Sequence, residues 1–291
     1  MSRSEIHTLQ FDSPVDAARF AKTTPRVPKS QRESDKNKDG DWALGLDLAE
    51  TLDKVESGYI WNQGLDAMTA SMDVTDELAA KSSLPRLVRA VSGGVPCVGA
   101  HVMGHPKAMY RKQKRDTVDR PVLSVGINTG LAWSVTSKQR LNFAAAMLSA
   151  VDQLERVGYR VELTALWRAA DSGECSDYSK WTNIEVMLKR ASERWNPTTI
   201  AFVVGHPAVQ RRMYWRILET QEQWRHLTDG YCYHADSIHY DRSMAMDFDI
   251  YFGNMASAIA KKCNTPEGAF AYVESVVNSM LADQKAAVSR G

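Results

Sequence analysis

Cysteine is scarce in this sequence, and long apolar runs are missing. The 291 residues include four cysteines, at positions 97, 175, 232 and 263, and no two of them form a Cys-x-x-Cys pair. Zinc-knuckle, thioredoxin-like and disulfide-stapled proteins are therefore poor matches. No stretch approaches the roughly 18 apolar residues that a membrane span needs. We expect a cytoplasmic protein that makes no membrane contact.

A surplus of either charge is also missing. The chain carries 36 Lys and Arg against 35 Asp and Glu, a formal net charge of +1. This balance excludes binding of nucleic acid through bulk positive charge, and it excludes an acidic solvating tail. Any function that depends on charge must therefore be local.

The first hundred residues predict a helical extension, 1–100. A short strand is expected at 6–11, a small helix at 15–20 behind Ser13-Pro14, and further helices at 46–58 and 74–91. Residues 22–41 are polar and mixed in charge, which predicts a loop or disordered segment. Residues 101–120 form a basic connector between this extension and the rest of the chain.

Residues 120–291 predict an α/β core domain. Apolar runs typical of strands occupy 122–127, 159–167, 198–204 and 248–252, and helical patterns occupy 141–157, 184–195, 208–227 and the segment from Pro266. Alternating strands and helices indicate a mainly parallel sheet covered on both sides, which is a three-layer, Rossmann-like architecture.

The loop after the first core strand is where an open α/β sheet usually carries its chemistry. Its residues run from Asn128 through Gly130 to Ala132 and Ser134. The glycines are too few for a dinucleotide fingerprint, and Gly-Lys-Ser/Thr, which a phosphate loop requires, does not occur.

A resemblance to the von Willebrand factor A-type domain begins at this loop. The strand at 122–127, the Ala-rich helix and the Gly158-Tyr-Arg-Val161 stretch within 140–163 are similar to the opening of that family. The resemblance implies an A-like fold over about 120–255 and a metal site in the loop. The matching positions, Asn128, Gly130 and Ala132, lack the carboxylate and hydroxyls that magnesium requires. We therefore expect a metal-free core without a cofactor.

A second resemblance spans most of the chain. The segment 41–45, residues 50–52, Gly58, Gly64, Gly104-His105-Pro106 and Met109 look like an uncharacterised family of bacteriophage-encoded proteins. It implies a bacteriophage origin and the host-cell cytoplasm. Some phage early proteins of this size bind single-stranded DNA and recruit a phage polymerase.

Two basic segments contain aromatic residues and each follows a Gly-His-Pro. Cations that meet phosphates, and rings on which bases stack, are the components of single-strand binding. The candidate residues are Lys107, Tyr110, Arg111, Lys112, Lys114, Arg115, Arg211, Arg212 and Trp215. The alternative is a solvated helix face at 112–115 together with core aromatics on the second segment.

The segment 232–241 holds donor types suited to zinc or iron. Cys232, His234 and Asp236 alternate, and His239 follows. The spacing matches no metal signature, and a polar loop is the competing interpretation. Asp247 and Asp249 are a further acidic pair.

These observations favour a non-enzymatic, phage-type protein that binds single-stranded nucleic acid and recruits transcription or replication machinery. One alternative is a protein–protein scaffold that uses the metal-free core. The other is a metal-dependent hydrolase centred on 232–241.

Overall fold

The computed structural model describes residues 5–28, 33–35, 42–66, 87–92, 95–96, 102–103, 106–112, 121–130, 135–170, 180–193, 196–222, 248–252, 259 and 261–288. Its strands are β1 (Glu5–Phe11), β2 (Leu87–Ala90), β3 (Val95–Pro96), β4 (Met109–Lys112), β5 (Val122–Asn128), β6 (Arg160–Ala170), β7 (Lys180–Lys189) and β8 (Ile250–Phe252). This mixture of strands and helices confirms the α/β class.

The α-helices are α1 (Pro14–Thr23), α2 (Leu48–Ser57), α3 (Ser137–Val157), α4 (Pro197–Ile200), α5 (Trp215–Leu218) and α6 (Pro266–Val288). Between α4 and α5 the chain forms two π-helical segments, π1 (Ala201–Gly205) and π2 (Val209–Tyr214). In the described part of the chain, no helix is both long and apolar enough to cross a membrane.

A five-stranded sheet in the order β1-β7-β6-β5-β8 forms the centre of the molecule. β5 runs parallel to β6 and β8, β1 runs parallel to β7, and β6 and β7 are antiparallel. The mainly parallel sheet is therefore confirmed. β5, β6 and β8 all end at the same edge, which we call the carboxyl edge.

Most buried apolar residues of the strands share one face of this sheet, whereas Leu166 and Tyr251 are buried on the other face. Val125 of β5 lies opposite Leu163 of β6 and Ile250 of β8. Two residues further along β6, Ala165 lies opposite Val186 of β7. Residues that face each other across strands project to the same side. α3 and α6 pack on this face over β5 and β8, and α1, α2 and π2 pack on it over β6 and β7. The described residues thus form two layers, and the expected third layer is not among them.

Local capping explains several elements that the sequence predicted. The Ser13 hydroxyl accepts the Asp16 N–H at the start of α1, and Asp47 forms a capping box with Glu50 at α2. α2 and α3 end at Gly58 and Gly158, which have φ of 68° and 114° in the left-handed region that favours glycine. The strand at 6–11 is also confirmed, and as β1 it joins the core sheet.

Three predicted elements are wrong. Residues 184–195 were expected as a helix, but Lys180–Lys189 is strand β7, in which Ile184 and Val186 are buried at a period of two. Residues 198–204 were expected as a strand but are helical, because an apolar run buried on all sides looks the same in either structure. The helix expected at 74–91 is wrong for residues 87–90, which form strand β2; residues 67–86 lie outside the described part.

Candidate functional site

The first basic segment, residues 107–115, lies on a small sheet of its own. β4 is the middle strand of a three-stranded antiparallel sheet in the order β2-β4-β3. The register places Tyr110 opposite Arg89 of β2 and Val95 of β3. Lys112 is therefore on a strand, which removes the helix-face interpretation for that residue. Lys114 and Arg115 lie outside the described residues.

The surroundings of this small sheet are exposed to solvent. Lys107 is exposed just before β4. Three apolar residues of the neighbouring segments are also exposed: Val91, Val102 and Met103, at 75%, 79% and 76%. Arg89 was missed from the sequence because a cross-strand partner that is distant along the chain leaves no local signal.

The second basic segment is buried, which contradicts the binding role expected for it. Arg211, Arg212 and Trp215 are only 5%, 2% and 7% exposed. Their helix covers the sheet, so the competing interpretation of Trp215 as a core aromatic is correct. These three residues cannot form a surface for nucleic acid.

The buried arginines instead hold the N-terminal segment against the core. Arg211 donates to the Trp42 carbonyl at 2.5 Å, and its guanidinium lies 4.1 Å from the centre of the Trp42 ring. Arg212 donates to the carbonyls of Ser34 (2.9 Å) and Leu46 (3.2 Å). Guanidinium groups fix several backbone carbonyls at once because their donors point in a rigid fork.

Ser34 shows that part of the polar segment 22–41 is ordered by contacts. Its N–H and hydroxyl donate to the carboxylate of Glu219, which also accepts from Arg26 Nε at 2.7 Å. Ser34 itself is fully buried. Residues 22 and 23 of this segment belong to α1, residues 24–28 are a loop, and Glu33–Asp35 is a short 3-10 turn; residues 29–32 and 36–41 lie outside the described part.

The loop after β5 uses its polar groups internally. The Asn128 side-chain oxygen accepts the Gly130 N–H at 2.9 Å. The N–H and hydroxyl of Thr129 both donate to the Leu166 carbonyl of β6, at 2.7 and 3.0 Å. Ala132 lies outside the described residues. Within the described ranges, no group of three or more His, Cys, Asp or Glu residues is arranged to hold a metal ion.

Arg140 is a buried cation in the first turn of α3, the helix that follows this loop along the chain. It is 1% exposed, and its Nη2 donates to the Gln210 side-chain oxygen. Burial, together with the charge of Arg211, lowers the pKa of Arg140 to about 9. Burial, with the charges of Arg140 and Lys54, also lowers the pKa of His206 to about 3. The only sequence signal for Arg140 is a cation inside an Ala-rich apolar helix.

The remaining catalytic and metal candidates contribute no described site. Cys232, His234, Asp236, His239 and Asp247 all lie outside the described residues. Asp249 accepts the N–H and hydroxyl of Ser124 at 2.8 and 2.9 Å and so fastens β8 to β5. Cys263 is fully buried, and burial raises the pKa of its thiol to about 11, which disfavours the nucleophilic thiolate.

Comparison with known proteins gives a family but no activity. No curated protein and no solved structure matches the chain. The resemblances to the von Willebrand factor A-type domain and to bacteriophage-encoded proteins therefore stay predictions. One family, described as "Domain of unknown function (DUF7192)", matches residues 3–283. Because this match covers nearly the whole sequence, the chain belongs to that family.

Proposed function

We propose that this protein is a non-enzymatic binding protein whose small sheet, β2-β4-β3, contacts single-stranded nucleic acid and thereby serves transcription or replication machinery. One observation carries the proposal. The basic segment 107–115 runs through the middle strand of that sheet, where Tyr110 has a second cation, Arg89, opposite it.

The sequence of the segment supplies the charge. Residues 107–115 hold five cations and no acid before Asp116. Phosphates bind such cations through counterion release, so a confined patch suffices even in a chain of net charge +1.

The strand supplies regular spacing. Alternate residues of a strand lie about 6.8 Å apart on the same face of the sheet. Tyr110 and Lys112 are in this relation, and Arg89 shares the register of Tyr110. Single-strand binding combines cations that neutralise phosphates with aromatic residues on which bases stack, and the register of this sheet brings both residue types together.

The test is a fluorescence-anisotropy titration of a labelled single-stranded oligonucleotide at low salt. We expect the wild type to bind and Lys112→Glu/Arg115→Glu to lose most of the affinity. The matched control is Lys138→Glu/Lys261→Glu, which reverses two exposed lysines remote in sequence from the small sheet. Equal thermal stability of the variants excludes unfolding as the cause. Equal affinities of the two double variants would contradict the proposal.

A protein partner is the second candidate, because three exposed apolar residues lie on the segments of the small sheet. They are Val91, Val102 and Met103. Exposed apolar surface with a charged rim is typical of protein–protein contacts. Two results together support this scaffold role. The wild type does not bind the oligonucleotide, and it captures a protein that the variant Val102→Ser/Met103→Ser does not capture.

A further inference from the structure

β1 is an exposed edge of the central sheet. Among the described strands, only β7 lies beside it, and their parallel register covers all seven residues of β1. The side chains of His7, Thr8 and Gln10 are exposed. Every second residue of an edge strand directs its backbone N–H and C=O groups away from the sheet, where another strand can pair with them.

The devices that usually protect an edge strand are missing from β1. Natural proteins protect such edges with lysine, with proline, with a β-bulge or by keeping the strand very short. The seven residues of β1 include neither lysine nor proline, and their register with β7 shows no shift. β8, at the opposite edge of the sheet, has only three residues. The two edges therefore differ, and β1 is the one that is suited to strand pairing.

The charge of β1 fits a second copy of the same strand. Glu5 is its only residue with a formal charge at pH 7. In an antiparallel pair centred on Thr8, the two Glu5 positions lie at opposite ends, about 20 Å apart. This separation exceeds the screening length of about 10 Å at 0.1 M salt. A parallel pair in register would instead set the two Glu5 positions against each other, which is destabilising.

The same antiparallel register suits the side chains of both faces. Thr8 lies opposite Thr8 of the second copy, and two threonines in this position form a favourable cross-strand pair. On the helix-covered face, Leu9 and Phe11 of β1 are only half-buried in the apolar cluster around Trp167. A second strand at this edge removes more of their apolar surface from water.

We propose that β1 pairs antiparallel with β1 of a second copy of this chain, centred on Thr8. Two five-stranded sheets thereby join into one continuous sheet of ten strands. The contact is symmetric, because the same strand is used by both copies and a twofold axis relates them. It lies on the central sheet and not on the small sheet, so its failure leaves the proposed function untouched.

The test is the molecular mass in solution, measured by analytical ultracentrifugation over a wide range of protein concentration. The wild type is expected to approach the mass of two chains as the concentration rises. Thr8→Lys and Thr8→Glu are each expected to lose this species, because like charges then face each other at the centre of the pair. An equimolar mixture of the two variants is expected to restore it, because the facing charges are then opposite.

Three results would overturn the proposal. They are a wild type that stays monomeric at every concentration, a Thr8→Lys variant that dimerises as strongly as the wild type, and a mixture of the two variants that stays monomeric. A thermal midpoint equal to that of the wild type shows that each variant is folded.

Oxidative cross-linking tests the register without adding charge. In the proposed pair, the two residues at position 8 have Cβ atoms about 5 Å apart, so Thr8→Cys is expected to give a disulfide-linked dimer on a non-reducing gel. The matched control is Gln10→Cys on the same face of β1. Its two copies lie four positions apart along the pair, about 13 Å, which is too far for a disulfide. The wild type, oxidised in parallel, gives the background from the four native cysteines. Equal cross-linking at positions 8 and 10, or none above background at position 8, overturns the proposed pair.

Discussion

Glu219 shows how single buried charges organise this chain. Its carboxylate has no exposed side-chain surface, and it pairs with Arg26 while accepting two hydrogen bonds from Ser34. One side chain thus joins the polar N-terminal loop to the end of the helix that covers the sheet. Removal of the Glu219 carboxylate leaves the buried N–H and hydroxyl of Ser34 without this acceptor, whereas Arg26 keeps its ion pair with Asp35.

Glu219→Ala is expected to lower the free energy of unfolding by about 1 to 3 kcal/mol, because buried donors of Ser34 lose their acceptor. The control is Asp12→Ala, which removes a carboxylate that also pairs with an arginine, Arg190, but is 86% exposed. That exposed pair is expected to contribute less than about 1 kcal/mol. Urea denaturation measures both. Similar losses in the two variants would show that Glu219 has no special role.

His206 is expected to make stability depend on pH. Its pKa is about 3 in the folded chain and about 6.5 when unfolded, so the unfolded chain takes up a proton first as pH falls. Its contribution is therefore complete above pH 6.5 and declines on acidification by about 1.4 kcal/mol per pH unit. Between pH 7 and 5 the wild type should lose about 2 kcal/mol more than His206→Gln in urea denaturation. Parallel pH profiles would contradict this assignment.

At the scale of elements, the helices on the sheet depend on close contacts at one glycine. A Cβ on Gly205 of π1 would lie 2.8 Å from the Trp61 ring and 3.3 Å from Ala144 of α3. The chain then turns at His206, which is extended, and resumes as a helix at Pro207. Gly205 is thus the point where π1, α3 and the segment after α2 meet.

Gly205→Ala is expected to destabilise the protein by about 1 to 3 kcal/mol, because a rigid ring must move to admit the methyl group. Trp61→Phe removes the ring atoms in question, so the double variant should lose less than the sum of the single losses. A double-mutant cycle in urea gives this coupling energy directly. Strict additivity would mean that the two residues are not in contact.

The elements that the sequence predicted are those with local signals. α1, α2 and α3 have caps, and β5 is bounded by Pro121 and by a polar loop. The run 198–204 has no such signal, since it is buried whether helical or extended. The candidate sites follow the same rule. A basic run is visible in the sequence, but its exposure is decided by packing, which buried Arg211 and left Lys107 exposed.

At the scale of the whole molecule, the N-terminal residues complete the core. β1 is the edge strand of the central sheet, and α1, α2 and Trp61 pack in the same apolar cluster as Trp167 of β6. Without them, the apolar face of β6 and β7 would be open to water.

A fragment of residues 120–291 is therefore expected not to fold as an independent unit. Circular dichroism is expected to show no sigmoidal thermal transition, because the fragment exposes the apolar cluster around Trp167. The control is a fragment of residues 5–291, which keeps β1. Cooperative unfolding of the shorter fragment would show that the first 119 residues are a dispensable extension.

The claim that the small sheet binds single-stranded nucleic acid is tested most directly by the salt dependence of binding. With its five cations, the basic segment should contact about three to five phosphates, which gives a slope of about −2 to −4 for log K against log salt. Lys112→Glu/Arg115→Glu should flatten this slope, and Tyr110→Ala should weaken binding with the slope unchanged. Undetectable binding at low salt, or affinity that does not vary with salt, would contradict the account.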